Sequence, residues 1–318
     1  MVKEVTLYVD AEMGKYGFPD GHPFGPDRQA AFWKEALKQG LNKRAGLARS
    51  RPADHDEIAR FHTDAHVARV RQLSAEGRGT IDYGDTPAYP GVYEASARVV
   101  GAALEGLDLV MTGQCHRTFQ PIGGLHHARP DNAAGFCVFN DCGVVIDTLR
   151  EKYGVKRVAY VDIDVHHGDG LYYPYEDDAD LVYADIHEDG RFLYPGTGHA
   201  NERGKGAGEG LKLNIPMPPG AGDQEFYRVW ERAEEHLLHY RPEFIVFQCG
   251  ADSVAGDPLA HLQYTPEAHA HAARRLCALA NELCEGRIMG FGGGGYNRTN
   301  LAQAWCAVLD QFLRASDL

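Results

Sequence analysis

Short apolar runs recur along this chain and alternate with longer stretches that carry apolar residues at helical spacing. The runs fall at 5–9, 107–111, 158–163, 181–186, 211–215, 244–249 and 288–291. Near-continuous apolar residues mark strands buried on both faces, as in a parallel sheet covered on each side. Helical patterns near 27–39, 65–73, 91–104, 139–152, 224–240, 266–283 and 300–313 supply the cover. The alternation predicts an α/β fold, a single domain over 1–318 with a central, mostly parallel sheet and helices on both faces. No repeat, low-complexity linker or charge block divides the chain. In such sheets ligands bind outside the carboxyl ends of the strands. Polar residues that directly follow an apolar run are therefore the first candidates for chemistry.

The densest of these is VAYVDIDVHHGDG at 158–170. After four apolar residues, Asp162, Asp164 and His166 alternate at strand spacing, which would put their side chains on one face. Anionic groups at the mouth of an apolar strand are costly unless a cation or a proton relay compensates them. Carboxylates with an imidazole form a ligand set that leaves a divalent metal room for water or substrate.

Four other segments follow strand-like runs or turns. In PIGGLHHARPDNAAGFCVFN, at 121–140, His126 and His127 are adjacent, so an extended backbone would point them in different directions and suit them to two separate jobs. QCGADSVAGD, at 248–257, places Asp252 where a third ligand could converge from a neighbouring strand. GFGGGGY, at 290–296, lets the backbone approach a ligand closely and delivers Tyr296. It has neither GxGxxG spacing nor a Walker lysine, so a phosphate cradle is a weak reading. YPGTG, at 194–198, reads as a turn that could wall a pocket. His55, His62, His66, His236, His239, His261, His269 and His271 read as surface or helix-face residues, and His187 as a neighbour of the site.

Composition narrows the partners. A net charge of −13 argues against a nucleic-acid partner and favours cationic substrates at an acidic mouth. The 44% hydrophobic content supports a sizeable core, and no apolar run approaches the ~20 residues of a membrane span. Seven cysteines without paired spacing fit reduced core thiols better than a disulfide framework. With no apolar leader at the first residues, a cytoplasmic location is expected.

Taken together, GGLHHA, GFCVFND, DIDVHHGDG, YPGTG, GADSVAGD and GGGGY resemble the histone deacetylase superfamily, the arginase-like fold of metal-dependent deacetylases, in order and spacing. The resemblance runs from about Gly17 to Trp305 and is nearest to bacterial acetoin-utilization-type or class II-like members. It implies Asp164, His166 and Asp252 as ligands of Zn²⁺, with Fe²⁺ also compatible. It implies His127 as general base paired with Asp169, His126 as an electrostatic histidine paired with Asp162, and Tyr296 as the oxyanion donor. Phe136, beside Gly135, and Tyr194 would wall an acyl-lysine tunnel, with Leu259 at its rim and Asp85 gripping the substrate backbone. Arg28 would line an internal channel near the leaving acetate. The implied partner is an acetylated lysine on a protein or peptide, or a small acetylated amine.

The chain departs from the family pattern in places. Asp185 stands where many relatives have serine, beside a structural K⁺ site formed partly by the main chain of 162–166, and Tyr194 replaces a more usual phenylalanine. The stretch 198–210 is similar to polyamine deacetylases, yet the long insertion of the dimeric acetylpolyamine hydrolases is missing ahead of Asp85. An acetylpolyamine amidohydrolase is therefore the first alternative. A two-manganese ureohydrolase and a non-catalytic acyl-lysine binding module rank below it.

Overall fold

The strand at the centre of the molecule is apolar along its length because helices cover both of its faces. The computed structural model describes residues 4–315. Its strands are β1 (Val5–Tyr8), β2 (Gly46–Ala48), β3 (Arg117–Gln120), β4 (Val158–Asp162), β5 (Leu181–Glu188), β6 (Lys212–Met217), β7 (Phe244–Gln248) and β8 (Ile288–Phe291). They form one sheet in the order β2-β1-β3-β8-β7-β4-β5-β6, and every pairing is parallel. The α-helices are α1 (Arg28–Lys38), α2 (Leu41–Arg44), α3 (His55–Ile58), α4 (Asp64–Glu76), α5 (Val92–Met111), α6 (Asp141–Tyr153), α7 (Asp169–Tyr172), α8 (Asp223–Tyr240), α9 (Pro266–Leu283) and α10 (Arg298–Arg314).

Side-chain alternation divides the core into two layers. Ala159 and Val161 of β4, with Ile245 and Phe247 of β7, face a cluster that includes Phe32 of α1, Trp230 of α8, Leu276 of α9 and Trp305 of α10. Val158 and Tyr160, with Phe244 and Val246, face the opposite cluster, which holds Val70 of α4, Val100 and Leu107 of α5 and Val144 of α6. Each large side chain withdrawn from water in this way contributes ~1.5–3 kcal/mol before entropy is counted.

The single α/β domain and the sheet covered on both faces agree with the sequence reading. One run does not. Residues 107–111 form the last turns of α5, where Leu104, Leu107 and Val110 keep the helical period and stay buried. The strand of this region is β3, whose RTFQ is polar in sequence yet buried at all four positions. All seven cysteines are buried thiols. Among the described residues no helix is long and apolar enough to cross a membrane.

Candidate active site

The polar residues gather at the carboxyl ends of the central strands. β4 stops at Asp162 and the chain then bends, so the alternation expected for Asp162, Asp164 and His166 does not continue. Asp162 turns to His126, while Asp164 and His166 turn toward Asp252, just past the end of β7. Asp164, His166 and Asp252 are all buried, and one donor atom from each lies within 4.8 Å of the others. His166 Nδ1 is 3.1 Å from Asp164 Oδ1 and 3.2 Å from Asp252 Oδ2. Gln248 Nε2 and the Gly294 amide both donate to Asp164 Oδ2 at 2.8 Å, and the Val165 amide donates to Asp252 Oδ1 at 3.1 Å.

Burial and the neighbouring Asp164 push the Asp252 carboxyl up to about 7. Two buried carboxylates against one imidazole leave negative charge that a divalent cation would neutralise. The cradle is closely fitted as well: a Cβ added at Gly250 would sit 2.0 Å from Asp164 Oδ2, and one at Gly294 would sit 2.0 Å from Asp252 Oδ2. The donor set and its fit therefore suit a divalent metal.

Two histidine–carboxylate pairs flank this cluster. His126 Nδ1 lies 2.8 Å from Asp162 Oδ2, and His127 Nδ1 lies 2.7 Å from Asp169 Oδ1 at the start of α7. The histidines do not diverge as adjacency suggested. Their Nε2 atoms meet 3.1 Å apart, because each ring swings toward its own carboxylate behind it. Burial alone would lower both histidines. At His126 the carboxylates of Asp162 and Asp164 outweigh it and hold the ring up at about 9. At His127 burial and the charge on His126 win, and the ring is lowered to about 4. The first ring is thus poised to carry a charge and the second to remain a neutral base.

Tyr296 reaches the same space from the glycine run after β8. Burial, with Asp252 and Asp164 nearby, raises its phenol well above its ordinary value, so it stays a proton donor. Its ring is 5.8 Å from that of Phe136, and the Tyr194 ring stands 5.0 Å from His127. A cavity of about 220 Å³ runs between these walls, lined by Asp85, His127, Gly135, Phe136, His166, Leu193, Tyr194, Leu259 and Tyr296. Asp85 and Tyr194 also line an outer groove of about 320 Å³ with Asp82, Tyr83 and Asn132. Burial and Asp82 push the Asp85 carboxyl up to about 6. Arg28 lies fully buried below Tyr296, donating to the carbonyls of Gly293 and Gly295 at 2.6 and 2.9 Å. With Arg28, the fourteen residues singled out for the site lie around one tunnel and its foot.

Sequence reasoning missed the supports. Asp257 accepts the Tyr296 amide at 2.8 Å, and Asp141 accepts those of Gly124 and Leu125 at 2.9 Å each, fixing the turn ahead of the histidines. Tyr160 donates to Asp162 at 2.6 Å. A polar ring inside an otherwise apolar strand was the available clue for Tyr160. Of the histidines read as surface or helix-face residues, His66 and His269 lie on buried faces of α4 and α9, and His62, just ahead of α4, is buried as well. His62 Nε2 accepts the Asn140 amide at 2.8 Å and His66 Nε2 meets the Val138 carbonyl at 2.9 Å, so both hold the segment that carries Phe136.

Residues 22–312 match the histone deacetylase domain family. The acetoin utilization protein AcuC of Bacillus subtilis is 34% identical over 302 residues, covering 92% of this chain and 78% of its own length. Histone deacetylase RPD3 of Saccharomyces cerevisiae is 32% identical over 314 residues, covering 96% and 70%. Histone deacetylase 8 of Xenopus tropicalis is 34% identical over 274 residues, covering 84% and 72%. The crystal structure of the HDA15 HD domain superposes with a TM-score of 0.90 at 27% identity, covering 99% of this chain and 89% of that one. With its fold, tunnel and buried donor cluster in agreement, the chain belongs to the histone deacetylase family.

Proposed function

We propose that this chain is a zinc-dependent amidohydrolase that removes an acetyl group from the amine of a lysine-like substrate and releases acetate. The observation that carries the reading is the convergence, at the foot of one tunnel, of a three-residue donor cluster, a buried histidine backed by Asp169 and the Tyr296 ring. Asp164, His166 and Asp252 would hold the metal, and ferrous iron suits the same donors. A divalent ion bound there supplies Lewis acidity, polarising an amide carbonyl and acidifying water.

The chain's own residues do the remaining work. Phe136 and Tyr194 confine an extended aliphatic stem between aromatic walls, and Leu259 covers its rim. Asp85 meets the substrate outside the tunnel. His127, lowered to about 4, is unprotonated at neutral pH and takes the proton of the attacking water. Asp169 behind it fixes which ring nitrogen carries the proton. His126 and Asp162 provide a charged pair beside the developing negative charge. The Tyr296 hydroxyl donates to the oxyanion, a contribution of ~10²–10³ in rate. A histidine then returns a proton to the leaving amine. A structural potassium ion beside 162–166 belongs to the same reading. So does a cytoplasmic enzyme without a nucleic-acid or membrane partner.

Acetate release by zinc-loaded protein tests this, with an acetyl-lysine peptide compared against N-acetylputrescine and N-acetylcadaverine. Faster release from the peptide is expected. Preference for the acetylated diamines would move the chain to acetylpolyamine hydrolysis. Release from none of them would overturn the proposal.

A further inference from the structure

The two histidine–carboxylate pairs look alike from the histidine side and differ behind the carboxylate. Asp162 is backed by neutral donors, the Tyr160 hydroxyl at 2.6 Å and the Asp164 amide at 3.0 Å. Asp169 is backed by a cation: its Oδ2 accepts Arg129 Nη2 at 2.7 Å, while Oδ1 faces His127 Nδ1 at the same distance. The Asp169 carboxylate is buried, whereas the Arg129 side chain is 44% exposed. Arg129 is braced in its turn. Its amide donates to the Asn132 carbonyl at 2.9 Å, and its guanidinium carbon lies 5.8 Å from the centre of the Tyr173 ring.

We propose that Arg129 is a positioning residue for His127, gripping the outer oxygen of Asp169 so that the inner oxygen stays aimed at the imidazole. This rests on the reading of His127 as the base. Without the guanidinium, a buried carboxylate would keep one partner and one unmet oxygen, and it relieves that deficit by rotating or taking a proton. Either response loosens the hydrogen bond that sets the His127 tautomer. The clamp also joins two distant segments, because Arg129 follows His127 by two residues while Asp169 opens α7.

Arg129→Ala should lower kcat by ~10–100-fold, the usual cost of losing a partner that orients a working group, with KM and bound zinc unchanged. Because the site is open to solvent, Arg129→Lys and methylguanidine added to the alanine variant should each restore part of the rate. A second readout does not need turnover. In protein with ¹⁵N-labelled histidine rings, the His127 Nδ1 proton, assigned by its disappearance in His127→Ala, should resonate far downfield. In Arg129→Ala it should move upfield or broaden through exchange. An unchanged resonance overturns the proposal, as does a loss of rate that neither lysine nor methylguanidine recovers. If wild-type protein releases no acetate, the deacetylase reading falls while the resonance test still decides the role of Arg129.

Discussion

Gly135 is the point at which the tunnel wall and the candidate base meet most closely, so Gly135→Ala has a calculable effect. Its backbone φ is +52°, in the left-handed region, where a Cβ costs ~1–2 kcal/mol. The added Cβ would also lie 2.5 Å from His127 Cδ2, roughly 0.9 Å short of the 3.4 Å at which ordinary contact begins. The imidazole has little room to yield. Asp169 holds Nδ1 at 2.7 Å, His126 stands 3.1 Å from Nε2, and the Tyr194 ring lies 5.0 Å away. A displacement of ~1 Å at a reacting group can cost ~10² in rate. Gly135→Ala should therefore lose ~10²-fold in kcat for acetate release and ~1–2 kcal/mol or more in urea unfolding. Gly154→Ala separates the two effects, since Gly154 has φ +66° but nothing within 4 Å of its added Cβ. That control should lose ~1 kcal/mol of stability and no activity. If Gly135→Ala keeps its rate within a few-fold of wild type, or loses no more than Gly154→Ala, the wall does not set the position of His127.

Three other outcomes are expected. Tyr296→Phe should cut turnover by ~10²–10³ with zinc content unchanged, and a near-normal rate would remove its hydroxyl from the chemistry. Asp252→Ala should lose most of the bound metal, so full occupancy measured by metal analysis would show that the donor cluster is wrongly assigned. Burial and the neighbouring His66 hold His62 down to about 3 against an ordinary 6.5. The unfolded chain therefore takes up a proton below pH ~6.5 that the folded chain refuses, and stability falls with acidification at up to ~1.4 kcal/mol per pH unit toward pH ~3. His62→Gln should flatten this slope in urea unfolding between pH 7 and 5. Parallel slopes in the two proteins would refute the account.

Most of the sheet was legible because burial on both faces leaves a continuous apolar record, as in β4, β7 and β8. β3 left no such record. Its arginine and glutamine are buried with partners: Arg117 donates to Asn281 Oδ1 at 2.7 Å, and Gln120 donates to the carbonyls of Val99 and Ile122 at 2.9 Å each. The run at 107–111 misled for the opposite reason, since five consecutive apolar or acidic positions do not separate a strand from the end of a buried helix. At the site, the residues whose types declare chemistry were visible in motifs. Those that hold them were not. Asp257 and Arg129 are ordinary charged residues in sequence, and only the fold brings them against Tyr296 and Asp169.

The sheet order has a consequence for how the molecule comes into being. β8, at Ile288–Phe291, lies between β3 and β7, and among the described residues no other strand joins β2-β1-β3 to β7-β4-β5-β6. A chain emerging from the ribosome can pair each group internally, yet it cannot knit them together until residues 288–291 have been made. During that interval the facing edges of β3 and β7 offer unpaired backbone to other chains. Non-local parallel pairing of this kind is slow and exposed to aggregation. The strand that closes the gap is followed directly by the glycine run and Tyr296, so the last seam of the sheet and the last component of the tunnel arrive together. A nascent chain halted before β8 would consequently hold the three candidate metal donors but neither a continuous sheet nor the tyrosine beside them.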